Sequence, residues 1–308
     1  MFSKKLLIPL LSLSLLVTPA YSSHAAENAE AAKTSVEGQG MLSPSSSSEN
    51  SESVFNGSGA GTSSEPVTDE KLETILKQVQ SQLPAENGTW AVFISDLVNG
   101  TEGSLNDQKM QAASLIKLYI MGAVYENYDQ ITGQYGRDSV DSNLYSMITV
   151  SDNDAANTLT TYLGGGDSAA GMQAVNSFCQ AHGYDQTHMG RMLLASNEND
   201  DNYTSVGDCG HLLQEIYKQD TSGYTHAADM FNLLKAQTRC NKIPAQLPEG
   251  VKTANKTGEL DNVENDAGII YDSKNDVVIV FMSQNLSSAG SAQNTIATLS
   301  RTIYDYYN

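Results

Sequence analysis

Ser114 and Lys117 stand three residues apart in the run Ser114-Leu115-Ile116-Lys117. On a helix that spacing makes the hydroxyl and the amine neighbours on one face. An alcohol is a poor nucleophile until a base takes its proton, and a desolvated lysine beside other polar groups has the lowered pKa that lets it serve. Two later triplets carry the same kinds of group: Ser151-Asp152-Asn153 and Lys256-Thr257-Gly258. Taken singly, each has a plain structural reading: a serine-capped helix start, a turn and an exposed strand end. Taken in order, they offer the hydroxyls of Ser114, Ser151 and Thr257, two amines and a carboxamide for acyl transfer to a serine.

The elements that would position these groups can be read from periodicity. Thr68-Asp69-Glu70-Lys71 starts a helix with Leu72, Ile75, Leu76 and Val79 on one face. Trp90–Val98 alternates as a strand, and Asn99-Gly100 signals a hairpin turn. Residues 112–127 predict an apolar helix. Residues 143–236 read as helices broken at Gly164-Gly165-Gly166, at Gly183 and at the polar loop 195–203. Strands return at Val251–Thr257, Ala267–Asp272 and Val277–Gln284, and a last helix runs from Ser291 to Tyr307. Strands flanking a helical middle, with helices at both ends, predict an α+β fold. An antiparallel sheet is built from both chain ends, covered by terminal helices, with an inserted helical subdomain and a site in the crevice between the two parts.

The trio S-x-x-K, S-D-N and K-T-G resembles the signature of class A β-lactamases and penicillin-binding proteins. The run Ser151–Asn157 and the segment Asn265-Asp266-Ala267-Gly268-Ile269-Ile270 are similar to the same family, and the resemblance covers residues 68–308. It implies the β-lactamase/transpeptidase-like fold and a role for each matching residue. Ser114 attacks the carbonyl, Lys117 accepts its proton, and Ser151 relays a proton to the leaving nitrogen with Lys256 in electrostatic support. Asn153 holds the substrate's side-chain amide, and Thr257 binds its carboxylate. The N–H groups of Ser114 and Glu259, the residue after Gly258, form the oxyanion hole. The ligand implied is a small-molecule β-lactam or a peptidoglycan stem peptide, with no metal or other cofactor, and the chain is expected to be a monomer.

Three departures bear on function. The family carries an Arg, a Glu two positions on and an Asn four further on. Here Arg191 and Asn197 keep that spacing, but Leu193 stands where the Glu that activates the deacylating water belongs. Glu198 and Asp200 are candidate substitutes, although acids in a loop are usually only solvated. The segment between Lys117 and Ser151 is short for the family, which predicts a pocket open on that side. Its aromatics, Tyr125, Tyr128, Tyr135 and Tyr145, read as structural. Glu259 shares a strand face with Thr257 and sets a carboxylate beside the expected carboxylate seat, with no arginine between Lys256 and Arg301 to offset it; its plain reading is an acid that turns into water or pairs with a lysine. These departures keep three functions open: a β-lactamase, a D-alanyl-D-alanine peptidase and a penicillin sensor without turnover.

Composition sets outer bounds. Lys4 and Lys5, the apolar run Leu6–Val17 and the exit His24-Ala25-Ala26 predict a signal peptide over 1–26. Its apolar run is too short for stable membrane insertion, so the expectation is a secreted, extracellular or wall-associated protein. Residues 27–67 are rich in Ser, Gly and Glu and read as a disordered linker, with the catalytic domain over 68–308. The formal charge of −19 falls to −21 once the two signal lysines are removed, which argues against nucleic acid. Cys179, Cys209 and Cys240 lack metal-site spacing. A Cys209–Cys240 disulfide is one expectation and three buried thiols the other. His182, His188, His211 and His226 show no ligand spacing either.

Overall fold

The computed structural model describes residues 69–308, so the expected signal peptide and linker lie outside the described residues. Helix α1 (Glu70–Gln82) is capped by Asp69, whose carboxylate accepts from Lys71 N, and buries Leu72, Ile75 and Val79 as its apolar spacing predicts. A five-stranded sheet follows from β1 (Thr89–Asp96), β2 (Thr101–Leu105), β5 (Lys252–Leu260), β6 (Val263–Tyr271) and β7 (Val277–Gln284). Its order is β2-β1-β7-β6-β5, with every pair antiparallel. Both ends of the folded chain therefore build one sheet. Asn99-Gly100 closes the β1–β2 hairpin, with Gly100 at φ 69°.

Each face of this sheet is buried, so its inner strands are apolar at consecutive positions rather than alternately polar. Trp90, Val92, Ile94, Ile279 and Phe281 face α1 and the long C-terminal helix α9 (Ala289–Tyr307). Ala91, Phe93, Val278, Val280 and Met282 face the helical insert. That insert holds α2 (Ile116–Glu126), α3 (Tyr128–Tyr135), α4 (Arg137–Thr149), α5 (Asn153–Leu163), α6 (Ser168–Ala181), α7 (Val206–Tyr217) and α8 (Ala227–Lys235). A short ladder joins β3 (Met110–Gln111) to β4 (Tyr203–Thr204).

Three details correct the sequence reading. First, β5 and β6 are longer than predicted, so Lys256-Thr257-Gly258 lies within a strand and Asn265-Asp266 belongs to the strand that follows. Those polar residues tolerate full burial because each has partners. Asp266 accepts from Asn255 Nδ2 at 3.0 Å and from Ile243 N at 2.9 Å. Asn265 Nδ2 donates to Gln111 O at 2.9 Å, and its Oδ1 accepts from Ser283 N at 3.0 Å. Second, α3 and the first turns of α4 occupy a stretch with no predicted element, hinged at Gly136, whose φ of 86° suits glycine. Third, no disulfide joins Cys209 to Cys240. All three thiols are free; Cys179 and Cys209 are buried and Cys240 is exposed. Cys209 is sealed in the helical core, where it accepts from Tyr119 Oη at 3.4 Å. Cys240 follows α8 at the surface, with its thiol turned toward Thr238 O.

Candidate active site

Ser114 sits in a single 3₁₀ turn, Ala113–Leu115, that leads directly into α2. The turn begins from strained backbone, since Ala113 has φ 48°. Leu115 N closes the turn on Ala112 O at 3.0 Å, and Asn265 Nδ2 pins that same carbonyl from the sheet at 3.2 Å. The sheet edge presses against this turn at Gly258. A Cβ added there would lie 2.9 Å from Ala112 O and 3.2 Å from Ser114 N, so only glycine lets β5 approach the serine this closely.

Ser151-Asp152-Asn153 connects α4 to α5. Asp152 caps α5 by accepting from Ala155 N at 2.7 Å. Ser151 adopts φ 60°, a costly conformation for a residue with a side chain, and its hydroxyl is thereby carried to the lysines. Lys117, in the first turn of α2 and fully buried, lies 3.1 Å from Ser114 Oγ and 3.2 Å from Ser151 Oγ. It also donates to Ser151 O at 2.8 Å and to Asn153 Oδ1 at 2.7 Å. Lys256 reaches in from β5, donating to Ser151 Oγ at 2.8 Å and to Thr257 O at 2.7 Å. The hydroxyls of Ser114 and Ser151, the amines of Lys117 and Lys256 and the carboxamide of Asn153 thus form one continuous hydrogen-bonded cluster.

Burial shapes the charge of this cluster. Desolvation, helped by the Arg239 charge and opposed by Asp152, lowers the Lys117 pKa to about 7. Lys256 is pushed well below the usual lysine range by burial and by the charges of Lys117 and Arg239. Two ammonium ions this close disfavour each other, and the neutral form of at least one is accordingly favoured.

A cavity of about 510 Å³ opens in front of the cluster. Ser114 and Asn153 line one side, Glu259 to Asn262 another, and the loop with Arg191, Leu193, Leu194, Ala195 and Asn197 the third. That loop is tied at its base: Arg191 Nε meets Asp201 at 2.7 Å, and Asn197 Nδ2 donates to Asp201 Oδ2 at 3.4 Å. Leu193 is only 8 % exposed, and its backbone is gripped from both ends by Asn157, which accepts from Leu193 N at 2.8 Å and donates to Leu193 O at 3.0 Å. Leu194 stands at φ 66° with 75 % of its surface exposed. Glu198 and Asp200, considered as substitutes for the missing acid, do not line the cavity, and Asp200 is bound to His188 at 2.8 Å.

Two predicted binding positions differ from expectation. Thr257 is sealed to 1 % exposure. Glu259 is not left without cations: Arg239 Nη1 meets Oε2 at 3.0 Å and the fully buried Lys242 meets Oε1 at 3.1 Å. The lysine pair agrees with the plain reading of Glu259, whereas Arg239 was missed, because both cations come from the connection after α8, upstream of Lys256 and outside any motif. Lys242 also binds Glu264 at 2.6 Å, and Arg239 Nη2 donates to Val150 O at 3.4 Å. Gln111 was missed as well; its Nε2 donates to Asp201 Oδ2 at 3.0 Å and ties the loop to β3. Tyr125 and Tyr128 stack on each other and beside His226, and Tyr135 stacks on Tyr162, as structural aromatics do, whereas Tyr145 is exposed. Among the described residues no group of His, Cys, Asp and Glu is arranged to hold a metal ion, and no helix is long and apolar enough to cross a membrane.

Comparison with known proteins gives a consistent picture. The model of the beta-lactamase enzyme family matches residues 71–138 and 134–307. No curated protein sequence matches. Among solved structures, PBP-A is 22% identical with a TM-score of 0.66, covering 76% of this chain and 96% of that one. A β-lactamase from Sphaerobacter thermophilus is 22% identical with a TM-score of 0.64, covering 75% and 96%. A leucine-to-glutamate mutant of PBP-A, solved as its acyl-enzyme complex with penicillin G, is 23% identical with a TM-score of 0.65, covering 76% and 96%.

Proposed function

Because the chain belongs to the beta-lactamase enzyme family, we propose that it is a serine hydrolase that opens β-lactams through an acyl-enzyme on Ser114 and releases the product slowly. The carrying observation is Lys117 Nζ at 3.1 Å from Ser114 Oγ, with its pKa lowered to about 7. As a neutral amine, Lys117 has two hydrogens for Ser151 O and Asn153 Oδ1, its nearest acceptors, and a lone pair left for the Ser114 proton. Oγ then attacks the lactam carbonyl, and the N–H groups of Ser114 and Glu259 receive the developing oxyanion. Ser151, bridging Lys117 and Lys256, passes a proton to the leaving nitrogen as the ring amide breaks. Asn153, which lines the cavity, holds the acyl side chain.

Release is the weak step. A water must lose a proton to attack the ester, and general bases supply about 10²–10⁴-fold of such a rate. Leu193 offers no base, and neither Glu198 nor Asp200 lines the cavity. We therefore infer that the acyl-enzyme accumulates. The same observation favours a second reading, a D-alanyl-D-alanine peptidase acting on peptidoglycan stem peptides, for which β-lactams are inhibitors. In either case residues 1–26 direct export, so the enzyme works outside the membrane.

Incubation with nitrocefin, followed by intact mass and by absorbance, tests this reading. The expected result is one stoichiometric adduct, lost in Ser114→Ala, and a burst followed by slow turnover. Fast sustained turnover would overturn the slow release, and no adduct on a folded protein would overturn the mechanism.

A further inference from the structure

Glu259 puts an acid on the edge strand, at the cavity wall, where the ligand of the proposed reaction brings its own carboxylate. Resting on that reading, we propose that Glu259 is a specificity-determining residue: an internal counter-ion that occupies Arg239 in place of a substrate carboxylate and turns the site away from anionic ligands.

The cations around Glu259 and on the cavity loop leave little room for another anion. Lys256 and Lys242 are fully buried, and Lys242 already bridges Glu259 and Glu264. Arg191 is paired with the nearly sealed Asp201. Arg239 is the cation that presents open surface, with 44% of its side chain exposed, and its Nη1 is held by Glu259 Oε2 at 3.0 Å. Thr257, the other expected carboxylate partner, is 1 % exposed as a residue and is not among those lining the cavity. An incoming carboxylate must therefore displace Glu259 from the guanidinium or sit beside it as a second negative charge. Displacement is resisted from behind, because the other oxygen of Glu259 is anchored on Lys242 at 3.1 Å. Burial pushes its carboxyl up, but Lys242 first and then Arg239 more than offset that and hold it below the usual glutamate range, so it stays ionised at neutral pH. A neutral group at that end of the ligand meets none of this opposition.

The experiment compares second-order acylation of Ser114 by penicillin G and by its methyl ester, read by intact mass, in the native chain and in Glu259→Gln. Glutamine keeps hydrogen-bonding oxygen and length while removing the charge. The native chain is expected to take the ester at least as readily as the acid. Glu259→Gln is expected to raise the ratio of acid to ester acylation rates about tenfold, whatever it does to both together, since each decade of preference is a modest free-energy difference. Asp305→Asn, which removes a charge from the exposed face of α9, controls for the overall field and is expected to change neither compound. If Glu259→Gln melts well below the native chain, Glu259→Ala repeats the test with a different loss of charge. A ratio that stays the same or falls overturns the proposal alone. Absence of a Ser114 adduct from either compound overturns the functional reading and the proposal with it.

Discussion

Leu193→Glu tests the proposed mechanism most directly. The position faces the cavity that holds Ser114, and the backbone around it is fixed by Asn157 rather than by the leucine side chain. The loop should therefore survive the change, with the new carboxylate close to where the leucine terminus now lies. Losing the buried leucine costs about 1.5–3 kcal/mol. For a domain of this size that lowers Tm by about 2–4 °C per kcal/mol. The gain is a general base, expected to speed deacylation by about 10²-fold or more, which is about 3 kcal/mol off that barrier. Burial raises the pKa of the introduced acid, so the rate should climb with pH as the carboxylate ionises and then level. The assay labels the protein with penicillin G, removes free drug and follows loss of the adduct by intact mass. If the variant stays folded and acylates normally, yet its adduct decays no faster than the parent's, then Leu193 does not occupy the deacylation position.

Acylation by the native chain should fall about tenfold per pH unit below pH 7, because Lys117 becomes protonated through its pKa of about 7. Arg239 contributes to that lowering, so Arg239→Gln should raise the Lys117 pKa and move the acidic limb to higher pH; a pH–rate profile for each protein checks both. Gly258→Ala should slow acylation by about tenfold or more, since its Cβ would crowd Ala112 O and Ser114 N by a few tenths of an ångström in a site where small misplacements are costly. Thiol titration of the native chain should count one reactive cysteine, Cys240, and three after denaturation. Burial closes off the other two and pushes the Cys209 thiol up to about 12; two or more fast thiols in the native state would contradict the packing of α6 and α7.

The cluster of hydroxyls and amines was legible in the sequence because it rests on short local patterns: singly each of three motifs reads as ordinary structure, and their order resembles the family signature, leaving the fold only to bring the three together. The terminal helices were legible for the same reason, since one apolar stripe decides which face turns inward. What the sequence concealed is non-local. The partners of Asn265 and Asp266, at 112, 243 and 283, cannot be read from their own segment. Arg239 and Lys242 carry no motif, and their relation to Glu259 exists only once the connection after α8 packs under β5. The free thiols were hidden likewise, because pairing depends on where α7 buries Cys209 rather than on spacing.

The sheet order also governs how the chain comes to be folded. Thr89 at the start of β1 hydrogen-bonds in register with Gln284 at the end of β7, so the central ladder joins segments that leave the ribosome far apart in time. Until β7 arrives, β1 has only β2 beside it, and Val92 and Ile94 lack half of their neighbours. Long-range pairing of this kind is slow to nucleate. The nascent chain must therefore remain loose, and exposed to self-association, until its C-terminal strands are available.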